Sequence, residues 1–530
     1  MTLVLAVLLA SNASPAIRPA ALRAHVKFLA DDLLEGRGTA TRGHEIAARY
    51  VAAHFEAMGL LPAGQDGTFF QEVPLRSARL VAEESSLTLA RGGRERTLRA
   101  VHDYALAPDT LRQESEVAAP VVFVGFGVVA PELDHDDYAG VDVRGKIVAL
   151  LTGAPARFPN DQRAYYSSAG VKAEAAASRG ALGVLAIQTP EDAKRVPFSR
   201  TVEALEAGVM RWVDGQGNPA GVAPGLRASA ALSRDGALAL FEGAARSLDE
   251  AFADAAAAKV ASFALAAEAR LRTRSRHQDV RSPNVLAVLR GRDPALAKEH
   301  VVLSAHLDHL GIGVVRDGDA IYNGAFDNAS GTAALLEIAR AFAALSRPPR
   351  RSILFAAVTA EEKGLLGAEY FARNPTVEAS SIVANFNMDM FLSLFPAKDV
   401  IAFGAEHSSL GGVAKDLAGR LDLTLAPDPF PEEVIFIRSD HYAFVRQGIP
   451  SLMLSAGLRS TTPGVDGPRL FGQWLGRVYH SPKDDASQAI DFDSAAKVAR
   501  LYFLMAEKVA GERERPSWKP GDFFGTKFGR

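Results

Sequence analysis

The sequence predicts an α/β fold, a mixed but largely parallel sheet sandwiched by helices, interrupted by an inserted β-rich module. Two observations carry the prediction. From residue 284 onward, apolar strand-like runs alternate with segments of helical periodicity, and several runs are continuously apolar, as in sheets covered on both faces. Between about 118 and 270 that alternation gives way to short β-rich and alanine-rich stretches.

The chain opens with Leu3–Ala10, an apolar run followed by mostly small residues, and residues 1–17 read as an export signal. The run is too short to span a bilayer, and no other long apolar run follows. Residues 18–115 read as the first part of the main domain. Leu22, Val26, Leu29 and Leu33 recur at helical spacing until Gly36 and Gly38 interrupt them. A second helix, carrying Ile46, Tyr50, Phe55 and Met58, ends at Gly59. The polar loop between them, GRGTATRG, is placed to reach a partner or the site. Residues 69–108 alternate as strands, and residues 116–275 read as the inserted module.

In residues 276–512, strands are expected at Val285–Leu289, Val301–Ala305, Ile353–Thr359, Ile382–Met388, Val400–Phe403, Val434–Ile437 and Leu452–Ser455. Helices are expected at Thr332–Leu345, Leu365–Asn374, Leu410–Leu421, His441–Gln447 and Ser494–Val509. Residues 513–530 read as an irregular surface tail.

Composition narrows the chemistry. With 530 residues, 48% hydrophobic and 23% charged, the chain supports two or three globular domains. A net charge of −3 with mixed signs argues against a nucleic-acid partner. The absence of cysteine excludes disulfides, thiolate metal sites and thiol nucleophiles.

Ligand-type residues gather at the predicted strand ends: His306, Asp308 and His309 after one strand, Asp327 on its loop, Glu361 and Glu362 after the next, then Asp389, and finally His480 and Asp484. In a parallel sheet these ends share one edge, where active sites form. Imidazoles and carboxylates there suit divalent metals. Two ions ~3.5–4 Å apart require a bridging ligand, which a carboxylate such as Asp327 can be. Two imidazoles and two carboxylates then complete them, leaving one glutamate of the Glu361–Glu362 pair as general base. Asp308 is placed to hold an imidazole in its tautomer.

The stretches SAHLDHLG, NGAFDNASG, TAEEKGLLG, NFNMDM and YHSPKDD resemble, in order and spacing, the motifs of the co-catalytic di-zinc aminopeptidase family, which also includes glutamate carboxypeptidases, glutaminyl cyclases and transferrin-receptor ectodomains. SDHYAF and GIPSLML also fit, and the likeness spans residues 280–505. Residues 120–190 resemble the family's inserted protease-associated domain. The resemblance implies the zinc exopeptidase fold and two Zn2+ per chain. Asp327 would bridge, with His306 and Asp389 completing one ion and Glu362 and His480 the other. It further implies Glu361 as general base, Tyr479 as oxyanion donor, and Asp308, Asp440 and Asp484 as supporting residues. The implied activity is hydrolysis of the N-terminal peptide bond of a peptide with a free amino terminus, by an exported enzyme with no membrane span.

Two departures stand out. Phe326 replaces an aspartate common in bacterial relatives, and residues 456–478 form a longer segment than a minimal member needs. Alternatives on the same scaffold are a carboxypeptidase using Arg438 or Arg459, a glutaminyl cyclase, and a non-enzymatic receptor-type ectodomain; the last loses ligands that this chain keeps.

Overall fold

The computed structural model describes residues 15–529, apart from 260, 261 and 392. The predicted signal run at 3–10 lies outside the described residues. The chain forms two compact units. One takes in residues up to Glu72, Ser282–Pro429 and Arg438–Arg530; the other takes in Val73–Arg281 and Phe430–Ile437.

The first unit contains the strands β1 (Leu61–Pro62), β2 (the last part of Phe263–Leu289), β3 (His300–His306), β4 (Gly311–Arg316), β5 (Asp319–Tyr322), β6 (Ser352–Val358), β7 (Ile382–Asn387), β8 (Asp399–Phe403), β9 (Thr424–Ala426) and β10 (Ser451–Ala456). The main sheet runs β1-β2-β6-β3-β7-β10-β8-β9, with β4 and β5 as a separate hairpin. Its four central strands, β6, β3, β7 and β10, are mutually parallel. Their carboxyl ends therefore share one edge, which is the arrangement that collects the ligand-type residues.

The helices are α1 (Pro19–Leu29), α2 (Arg42–Ala57), α3 (Ser330–Ala343), α4 (Leu366–Arg373), α5 (Leu410–Gly419), α6 (His441–Val445), α7 (Gly467–Arg477), α8 (Phe492–Gly511) and α9 (Phe523–Phe528). Strand alternation distributes the core between them. Val301, Leu303 and Ala305 of β3 pack with α1, α2, α3 and α8. Val302 between them joins Phe371 of α4 and Phe444 of α6 on the other face. Continuous apolar strands are thus the consequence of helices on both faces. Thr41 caps α2 by accepting from His44 N, and Asp491 caps α8 by accepting from Ser494 N. Buried Glu337 of α3 accepts from Arg18 at the start of α1 and from Arg340.

The second unit has a sheet in which Ile147–Leu151, Gly183–Ile187 and Ala228–Leu232 run parallel, flanked by short helices. The alternating strands of 69–108 pair largely within this unit, Ser86–Ala90 with Glu268–Arg272 and Leu75–Ala78 with Val209–Trp212. Val285–Leu289 is the end of a 27-residue strand and not a separate one.

Two expectations are corrected. Val434–Ile437 is not a strand: Ile435–Ile437 forms a 3-10 turn. Four apolar residues after Pro431 fit one helical turn as well as a strand. The tail after Gly511 is not irregular surface. It ends in α9, with Phe524 fully buried and Trp518 Nε1 donating to Gly448 O at 3.0 Å. Its aromatic residues bring enough apolar surface to dock a short segment.

His25 of α1 is buried and hydrogen-bonded through Nδ1 to Tyr50 OH at 2.8 Å. Burial, helped by nearby His54, pushes its imidazole down to about 4, and burial pushes His44 down to about 3. The unfolded chain therefore binds these protons first as pH falls. Their contribution to stability is complete above about pH 6.5 and is lost progressively toward pH 4 and below. His25→Gln, which keeps a partner for Tyr50 without a titrating ring, should make the loss of thermal stability between pH 6.5 and 4 shallower than in the wild type.

Candidate metal centre

Strand ends deliver the polar residues. β3 ends in His306, β6 leads through Ala360 into Glu361 and Glu362, and β7 leads through Met388 into Asp389. Ala360, Met390 and His480 have positive φ (56°, 47° and 51°), so the chain bends sharply beside Glu361 and Asp389 and at His480. Non-glycine residues in this region carry strain that the surrounding packing must hold.

Asp327 lies at the middle of the cluster. His306 Nε2 is 3.2 Å from its Oδ1, and His480 Nε2 is 3.1 Å from its Oδ2. On one side His306 Nε2 also faces Asp389 Oδ1 at 3.3 Å. On the other, His480 Nε2 faces Glu362 Oε2 at 3.4 Å. Glu361 Oε2 stands further out, 3.9 Å from His306 Nε2. The ligand atoms of His306, Asp327 and Asp389 lie within 4.8 Å of one another, as do those of His309, Asp327 and Glu362.

His309 was not among the sequence-predicted ligands. It is fully buried, and its Nδ1 is 2.6 Å from Glu362 Oε1. Its position directly after Asp308, three residues past His306, is the available signal. The turn at Gly324 makes room for its ring: with φ 60°, a Cβ there would sit 2.5 Å from the imidazole.

The supporting residues are also in place, with one correction. Asp308 holds the His306 tautomer through its backbone and not its carboxylate. His306 Nδ1 lies 3.1 Å from Asp308 O, and beside a carbonyl that nitrogen must be the donor, leaving Nε2 free for a cation. The Asp308 carboxylate instead accepts from Glu361 N at 3.0 Å and Thr39 Oγ1 at 2.9 Å. Asp484 accepts from Phe326 N at 2.8 Å and Asp327 N at 3.0 Å, holding the central loop. Ser439 accepts from Asn387 and donates to Asp389 Oδ2 at 2.6 Å. Tyr479 stacks on the His480 ring at 3.8 Å.

The two departures explain each other. Phe326 is fully buried and packs against Trp474 of α7 at 4.5 Å, so the longer 456–478 segment supplies the surface that the phenylalanine covers. Trp474 Nε1 donates to Gln488 Oε1 at 2.6 Å, and Gln488 Nε2 donates to Asp484 Oδ1 at 2.5 Å. A continuous chain of hydrogen bonds thus runs from α7 to the Asp327 backbone.

The electrostatics favour cations. Burial pushes Glu361 well above the usual carboxylate range, opposed by His306 and reinforced by Glu362, Asp389 and Asp440. Burial raises Asp440 to about 8 and Asp484 to about 6. Burial also works against Asp327, but the bonds from His306 and His480 outweigh it and hold that carboxyl well below the usual range. Both Asp440 oxygens and His309 Nε2 are buried without a hydrogen-bond partner among the described residues. A buried set of carboxylates and imidazoles with unsatisfied atoms is the donor chemistry that divalent ions complete.

Residues 284–506 match peptidase family M28. The chain is 28% identical over 231 residues to leupeptin-inactivating enzyme 1 of Streptomyces exfoliatus, covering 42% of this chain and 48% of the relative. It is 27% identical over 260 residues to a probable zinc metalloprotease of Pyricularia oryzae, covering 44% and 50%. The chain spans about half the length of these curated relatives. An aminopeptidase from Aneurinibacillus sp. strain AM-1 shares the fold, with a TM-score of 0.52 and 20% identity over 96% of this chain and 95% of that one.

Asp484→Ala should leave two buried N–H groups without an acceptor. We expect a loss of about 1–3 kcal/mol per unsatisfied group, read as a lower thermal midpoint of the metal-free protein, and a smaller loss for Gln488→Ala.

Proposed function

We propose that this chain is a zinc-dependent exopeptidase of the aminopeptidase type, hydrolysing the N-terminal peptide bond of peptides with a free α-amine. The observation that carries the reading is Asp327, whose two carboxylate oxygens face different imidazoles, with a further carboxylate on each side and Glu361 left over. The zinc metalloprotease name of the relative from Pyricularia oryzae supports it.

In this reading His306 and Asp389 would hold one zinc ion, Glu362 and His480 a second, and Asp327 would serve both. Bound there, two ions would supply Lewis acidity to the scissile carbonyl and acidify the attacking water. Glu361 accepts the water's proton and returns it to the departing amine, so that the C–N bond breaks as a neutral amine leaves. Tyr479, its hydroxyl kept protonated by burial and by Asp327, Glu362 and Glu361, donates to the oxyanion. His309 holds Glu362 through Oε1, and His480 faces the other oxygen, Oε2. Asp440 lines the wall beside Asp389. Residues 116–275, which lie within the unit built on Val73–Arg281, are in this proposal a protease-associated module, and the protein is exported.

One observation keeps a carboxypeptidase in view. Arg438 acts on Tyr479 electrostatically and is a cation near the site. Arg459, the other candidate, is engaged by Asp399 at 2.8 Å and by Thr424, so it is not available to a substrate carboxylate.

Glu361→Gln should lower kcat by about 100- to 10,000-fold while zinc content, measured by atomic absorption, stays that of the wild type. Zinc lost together with activity would show that Glu361 is a ligand and the base lies elsewhere. Peptides with a free amino terminus should be cleaved and N-acetylated ones spared. Cleavage of the acetylated series from the carboxyl end would establish the carboxypeptidase reading instead, and cyclisation of an N-terminal glutamine would establish a cyclase.

A further inference from the structure

The loop between α1 and α2 reaches the metal centre through a residue outside the ligand set. Arg37 adopts φ 50° and is fully buried, yet no carboxylate among the described residues lies within ion-pair distance of its guanidinium. Its donors go to four backbone carbonyls. Nε donates to Leu307 O at 2.9 Å, Nη1 to Asn323 O at 2.6 Å and to Leu29 O, and Nη2 to Gly324 O at 3.0 Å. Leu307 lies between His306 and Asp308, and Asn323–Gly324 opens the turn that carries Asp327. The Arg37 carbonyl accepts from His309 N at 3.2 Å. Two residues on, Thr39 Oγ1 donates to Asp308 Oδ2 at 2.9 Å, and Asp308 Oδ1 accepts from Glu361 N. The approach is close enough that a Cβ on Gly36, itself at φ 65°, would lie 2.3 Å from Tyr322 O.

Burying a guanidinium without an ion pair costs several kcal/mol, and an apolar residue would pack there at less cost if packing were the only need. What an apolar residue lacks is a planar fork of five donors, which can join carbonyls from three chain segments. A lysine has three donors radiating from one atom and cannot span the same set. The carboxylates of Asp484, Asp308, Asp327 and Glu362 offset part of the burial cost from a distance.

We propose that Arg37, assisted by Thr39, is a positioning residue that locks the 306–309 loop to the 323–327 turn, so that His306, Asp308 and Asp327 converge in the metal-free protein and the site binds zinc tightly. The proposal rests on the two-metal reading above.

The test uses the full chain and compares wild type, Arg37→Lys and Thr39→Val. Zinc stoichiometry and affinity are read by competition with a chromophoric chelator, the visible spectrum of the cobalt-substituted protein reports ligand geometry, and circular dichroism reports folding. Arg37→Lys should stay folded, lose about 10- to 100-fold in zinc affinity and show an altered cobalt spectrum, with a smaller loss in Thr39→Val. A folded Arg37→Lys protein with wild-type zinc affinity and cobalt spectrum overturns the proposal, even if its thermal midpoint falls. If Arg37→Lys does not fold, Thr39→Val decides: weakened zinc binding supports the proposal, and unchanged binding overturns it. Wild-type protein that holds no zinc would remove the two-metal reading and this proposal together, whereas wild type holding two ions with unaltered variants would remove this proposal alone.

Discussion

Like charges buried together are the constraint on which the first unit depends. Asp308, Asp327, Glu361, Glu362, Asp389, Asp440 and Asp484 gather at one sheet edge, most of them shielded from water. Carboxylates so placed repel one another and resist ionisation unless imidazoles, N–H donors or cations answer them. Each neighbouring element supplies part of that answer. His306 and His480 hold the Asp327 charge, backbone N–H groups hold Asp484 and Asp308, and Ser439 holds Asp389.

The parallel sheet is what makes such crowding attainable. Central strands covered on both faces are rigid and apolar, so their ends are fixed to within the tolerance a metal site requires. The loops then carry the strain. Positive φ at Ala360, Met390 and His480 is retained because the packing beneath them permits no relaxed alternative. Support also arrives from outside the ligand motifs. Trp474 packs against Phe326 and reaches Asp484 through Gln488, while Arg37 and Thr39 reach Leu307, Asp308, Asn323 and Gly324 from near the start of the chain.

Much of this was legible from local pattern. Apolar runs at 301–305, 353–359 and 382–388, each followed by a ligand-type residue, required only the rule that parallel strands share a carboxyl edge. Short apolar runs were less informative. Ile435–Ile437 reads equally as strand or turn, and the aromatic tail looked irregular because no periodicity announces a single docked turn.

By itself, the sequence determined the α/β architecture, the order of its strands along the chain and the set of residue types at their ends, because periodicity and spacing are local properties. Tertiary structure decided what depends on direction and on distant partners. It put the Asp308 carboxylate against Glu361 N and Thr39 while its carbonyl took the His306 tautomer. It turned His309 onto Glu362 and brought Arg37 to four carbonyls, three of them more than 250 positions away. These outcomes follow from side-chain orientation and long-range packing, which the order of residues does not display.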